Sequence, residues 1–131
     1  MKRILATLFF ALALSTAQFA SAQTTATQWP EQTSFFTAMN AAYMAWKNNS
    51  SIDVVRQHAD EIYSQAVAWK QAARKDLPKA AKKDMKKMVK LAKKLKSAAA
   101  KTGNDDVVRQ DIANIHNLYL NVAGVAGGPT S

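Results

Sequence analysis

AWKNNSSIDVVRQ (45–57) and AAAKTGNDDVVRQ (98–110) are one segment written twice, and this duplication decides the fold. They align without a gap at an offset of 53, and DVVRQ is identical at 53–57 and 106–110. The hydrophobic register continues past the identity. Val55, Ala59, Ile62, Ala66 and Trp69 correspond to Val108, Ile112, Ile115, Tyr119 and Val122. Upstream, Phe35, Met39 and Ala42 correspond to Met88, Ala92 and Leu95. Apolar residues separated alternately by three and four positions form one stripe of a helix with a heptad-like period. Each copy therefore reads as helix, polar turn, helix. The expected fold is all-α, an up-down-up-down four-helix bundle built from a duplicated helical hairpin.

Working outward, the first helix is expected from about Pro30, a residue suited to a first-turn position, to Asn48. Phe35, Met39, Ala42 and Trp46 form its stripe, widened by Phe36 and Tyr43. Asn48 to Ser51 reads as a turn, with Ser50 and Asp53 in the arrangement of a capping box. The second helix carries Ile52, Val55, Ala59, Ile62, Ala66 and Trp69, and Leu77-Pro78 ends or bends it. A third helix from about Pro78 to Ala100 buries Ala81, Met85, Met88, Ala92, Leu95 and Ala99. Asn104 is the expected N-cap of the fourth, where Asp105 and Asp106 suit the positive end of the helix dipole. Gly124, Gly127, Gly128 and Pro129 are expected to end regular structure. The bundle domain is thus 30–126, between flexible segments at 23–29 and 127–131.

Residues 1–22, MKRILATLFFALALSTAQFASA, have the form of a cleaved Sec-type signal peptide. Lys2 and Arg3 precede an apolar run, and Ala20-Ser21-Ala22 is a small-x-small cleavage site that leaves Gln23 first. The expected compartment is the periplasm, or outside the cell. The mature chain of about 109 residues is one small domain. It has no cysteine, so it must be held together by packing, without disulfides. No later apolar run reaches the length of a membrane span, so an integral membrane protein is not expected after cleavage.

Charge is the sharpest chemical feature. Setting aside Lys2 and Arg3 leaves 16 basic against 9 acidic residues, a net charge of +7. Thirteen of the 16 lie between Lys70 and Lys101. On a helical wheel Lys79, Lys82, Lys83, Lys86, Lys87, Lys90, Lys93 and Lys94 fall on one arc of the third helix, opposite Met85, Met88, Leu91, Ala92 and Leu95. Lysines at such spacings repel one another, and relief is expected from Asp76, Asp84 and acids of neighbouring helices such as Glu61. Such a face is either a solvated surface or an attractor for anionic lipid, lipopolysaccharide or an acidic protein. Lysine without interleaved exposed aromatics does not point to nucleic acid. Arg56 and Arg109, equivalent in the repeat, are expected to pair with nearby acids.

The alternative chemistry is metal or haem binding. His58 and His116, with Met39, Met85 and Met88, supply imidazole and soft ligands of the kind copper uses. Met39 on the first helix and His116 on the fourth both lie about ten residues from the same end. In this the architecture is similar to exported four-helix bundles of the cytochrome b562 type. That resemblance implies a haem held between a helix-one methionine, here Met39, and a helix-four histidine, here His116. Packing is the competing role for the methionines. No nucleophile motif or acid–base pair with catalytic spacing occurs, so the expected function is non-catalytic: a binding or structural protein with a lysine-rich face.

Overall fold

The computed structural model describes residues 29–130. Four helices make up the fold: α1 (Pro30–Asn49), α2 (Ile52–Ala73), α3 (Lys79–Ala99) and α4 (Asp105–Ala126). The expected leader at 1–22 and residues 23–28 lie outside the described residues. None of the described helices is long and apolar enough to cross a membrane.

Consecutive helices pack as hairpins, α1 on α2 and α3 on α4. The hairpins join through α2 with α3 and α1 with α4. The α2 and α4 backbones also approach across a short diagonal, whereas those of α1 and α3 do not. α2 and α4 bring Trp69 and Tyr119 together in the core, with Phe35 and Met39 of α1 and Met85 and Met88 of α3 buried in the same cluster. Trp69, Tyr119, Phe35, Met39, Met85 and Met88 are all essentially inaccessible. Phe35, Trp69 and Tyr119 form a triangle of rings with centroids 5.7–5.8 Å apart. Each amphipathic helix hides one stripe, and none would be stable without the others.

The expected stripes of α2 and α4 are buried throughout, and α2's continues to Ala73. In α1, Trp46 is half-buried and the buried face shifts to Phe35, Phe36, Ala38, Met39 and Ala42. In α3 the stripe ends on Ala98, with Ala99 only half-buried.

The turns differ from expectation in detail. Ser51, not Ser50, caps α2, its Oγ accepting from the Val54 backbone N–H at 3.4 Å. Ser50 instead closes α1 with a positive φ of 54°. That geometry returns the Ser50 and Ser51 N–H groups to the Trp46 and Ala45 carbonyls. Asn104 stands at the N-cap of α4 but makes no side-chain cap. Helix α4 runs through Gly124, and Gly127, at φ 85°, ends it. The segment after Gly127 folds back on the bundle. Gln32 Nε2 donates to the Gly127 carbonyl at 2.7 Å, and the Tyr119 hydroxyl donates to the Pro129 carbonyl. Trp29 packs into the core cluster and is 7 % exposed.

Candidate anionic-surface interface

Helix α3 is positioned by its apolar stripe. Ala81, Met85, Met88, Ala92, Leu95 and Ala98 are buried, and this fixes the opposite side toward solvent. All eight arc residues, Lys79, Lys82, Lys83, Lys86, Lys87, Lys90, Lys93 and Lys94, are exposed. The apolar side of α3 is taken up by the bundle, with Val89 and Leu91 partly buried at its edges.

Neutralisation of this arc is sparse. Among the described residues Lys94 alone of the eight has an acidic partner within ion-pair range, Asp111 Oδ1 at 3.8 Å. Lys96, at the arc's edge, pairs with Asp60 of α2 at 3.0 Å and lies 5.3 Å from the centre of the Tyr63 ring. Among the described residues Asp76, Asp84 and Glu61 form no ion pair with these lysines; the acids of neighbouring helices that pair with α3 are Asp60 and Asp111. α3 also begins without an acid in its first turn and without a side-chain cap, so its dipole adds to the positive potential at that end.

The two equivalent arginines have different tasks. Arg56 Nη2 contacts Asp105 Oδ1 at 2.6 Å, and its Nη1 donates to the Ala98, Ala99 and Lys101 carbonyls at the end of α3. Arg109 pairs with Asp106, one turn back on its own helix, at 2.7 Å. Both pair with acids as expected, but only Arg56 ties two helices and a turn together.

A recess opens where α2 and α3 run side by side near their shared turn. Lys70 of α2 and Arg74, the C-cap residue that closes α2, are four residues apart, and Lys82 and Lys86 stand one turn apart on α3. The two pairs, with Leu77 and Met85, line a volume of about 220 Å³. A neighbouring depression of about 270 Å³ shares Lys70 and Arg74 and is completed by Val67, Gln71 and Val89. Asp76 and Asp84 are close in sequence but line neither.

The candidate metal and haem ligands are dispersed. His116 of α4 lies flat against Tyr43 of α1, with centroids 3.7 Å apart and parallel planes. Burial, and secondarily the positive charge of Lys47, holds its pKa below the usual histidine value. Its Nδ1 is buried without a hydrogen-bond partner. His58 engages the Val54 carbonyl through Nδ1 at 2.9 Å. Met39 is fully buried in α1, while Met85 and Met88 belong to α3 across the long diagonal. The α1–α4 interface, where a haem between Met39 and His116 would sit, is filled by rings: Phe35 and Phe36 on Tyr119, and Tyr43 on His116. The residues present do not fit that group. Among the described residues no three of His, Cys, Asp and Glu gather as a metal site.

Two buried polar residues escaped the sequence reading. Gln32 is inaccessible and holds the C-terminal segment, and its amide also lies 3.4 Å from the Tyr119 hydroxyl. Asp111 is 2 % exposed, with Oδ2 lacking any hydrogen-bond partner. Burial pushes its pKa up, and Lys94 offsets this in part. The signal was present: Asp111 lies three residues after Val108 and four before Ile115, on the core stripe itself. Gln32 likewise precedes Phe35 and Phe36 by three and four. Compared with known protein families, characterised proteins and solved structures, the chain matches none.

Proposed function

We propose that this is a non-catalytic helical protein of the cell envelope whose α3 arc docks on an anionic surface, that of acidic lipid or lipopolysaccharide. The observation that carries the reading is the lack of internal compensation. Seven exposed lysines on one side of one helix have no acidic partner among the described residues. Like charges one turn apart each cost a few tenths of a kcal/mol, a penalty that an external anion relieves. Near an anionic membrane each lysine contributes about 1 kcal/mol of attraction. The buried apolar side of α3 limits the contact to electrostatics, so attachment is peripheral and salt-sensitive.

Vesicle co-sedimentation tests this. The protein should bind vesicles containing phosphatidylglycerol at low ionic strength, release from them as salt rises, and ignore pure phosphatidylcholine. Equal binding to both lipids, or binding indifferent to salt, would contradict it.

A further inference from the structure

We propose that the recess between α2 and α3 is a subsite for a phosphomonoester head group, so that the protein distinguishes terminal phosphates from other anions on the surface it docks to. This rests on the surface-docking reading above. It is carried by the grouping of Lys70 and Arg74 with two lysines of the arc, Lys82 and Lys86, around one recess. Elsewhere along α3 the lysines project outward and meet a surface as independent charges. Here the end of α2 and the first turns of α3 bring four cations around one concavity, with no carboxylate among its described lining residues. Such a cluster is costly when empty and best relieved by one group carrying more than a single charge. A phosphomonoester carries about −1.5 to −2 at neutral pH and three acceptor oxygens, whereas a phosphodiester carries one charge. Arg74 supplies a planar fork for two of those oxygens, and the lysines act as point charges on the rest. The uncapped first turn of α3 adds positive potential at the same end of the helix. The floor is apolar. Leu77 and Met85 are themselves almost wholly covered, so the methylene stems of the four cations supply the apolar wall beside the phosphate.

The test compares phosphatidic acid with phosphatidylglycerol vesicles, diluted in phosphatidylcholine to equal total charge, using the protein as it accumulates in its host. The native protein should prefer phosphatidic acid by roughly fivefold, the value of about one further charge contact. In Lys70→Gln/Arg74→Gln the preference should vanish while binding to phosphatidylglycerol persists at a reduced level. In Lys83→Gln/Lys90→Gln, outside the recess, binding to both lipids should fall while the preference stays. All four positions are exposed, and circular dichroism checks that the variants remain helical. Inorganic phosphate at millimolar concentration should erode the preference before it erodes phosphatidylglycerol binding. Equal binding of the native protein to both lipids would overturn the subsite and leave surface docking intact. An undiminished preference in Lys70→Gln/Arg74→Gln would do the same. Binding to neither lipid would overturn both.

Discussion

Arg56 of α2 reaches across the bundle to Asp105 at the start of α4, 2.6 Å away, and on the way its guanidinium satisfies the last carbonyls of α3. Arg109, its counterpart in the repeated DVVRQ, bonds only to Asp106 on its own helix. The two therefore differ in energetic weight. Arg56 is 19 % exposed and joins three elements, so Arg56→Met should lower stability by about 1–3 kcal/mol. Arg109→Met should leave the denaturation midpoint unchanged within error, because its partner is fully exposed. Urea denaturation of the two variants checks this, and equal effects would show that the Arg56 contacts carry no weight.

Asp111 makes stability depend on pH in an unusual direction. Burial raises its folded-state pKa, so the folded protein binds its proton more tightly than the unfolded chain does. Its contribution is most favourable below the unfolded value of 3.8 and is lost as pH rises through the raised folded value. Asp111→Asn removes this titration. The variant should gain stability relative to the native protein as pH climbs from 3.8 to neutrality. Thermal unfolding across that range gives the answer; a difference constant with pH would refute it.

His116 works in the opposite sense. Its lowered pKa means that the unfolded chain takes up a proton near 6.5 before the folded protein does. Stability from the neutral stack on Tyr43 is complete above 6.5 and lost as pH falls through the depressed folded value. His116→Phe, which retains a flat ring, should reduce the loss of stability on mild acidification. An NMR titration of the His116 ring provides the direct check, with a midpoint at or above 6.5 as the contrary result.

Tyr119 and Gln32 hold the segment beyond α4. Tyr119→Phe keeps the ring packing on Phe35, Phe36 and Trp69 but deletes the hydroxyl's bonds to the Pro129 carbonyl and from Gln32 Nε2. The expected cost is about 1 kcal/mol, with faster amide exchange confined to the residues after Gly127. Unchanged exchange there would mean that the hydroxyl does not anchor the segment.

The four stripes were legible in the sequence because burial follows helical period, and the repeat gave each stripe twice. The outward direction of the α3 lysines followed from the same period. What period cannot convey is the tertiary partner of a polar group. Identical DVVRQ segments acquired different contacts because the preceding turns differ. Ser50 closes α1 through its own backbone, whereas the end of α3 receives Arg56 on the Ala98 and Ala99 carbonyls. Gln32 and Asp111 stood on core stripes but read as surface residues by type. The recess depends on the relative rotation of α2 and α3 across Pro78, which neither helix encodes alone. The candidate ligands His116 and Met39 shared a level in the bundle, yet the space between α1 and α4 went to aromatic rings.

The central claim is that the unpaired lysine arc draws the protein to an anionic surface. The most direct measurement is the vesicle affinity of Lys83→Gln/Lys87→Gln/Lys90→Gln, three outward positions free of ion pairs among the described residues. The account predicts a loss of about 1 kcal/mol per lysine on phosphatidylglycerol vesicles, roughly a hundredfold in all, with a shallower salt dependence and unchanged helicity. Native affinity in this variant would contradict it.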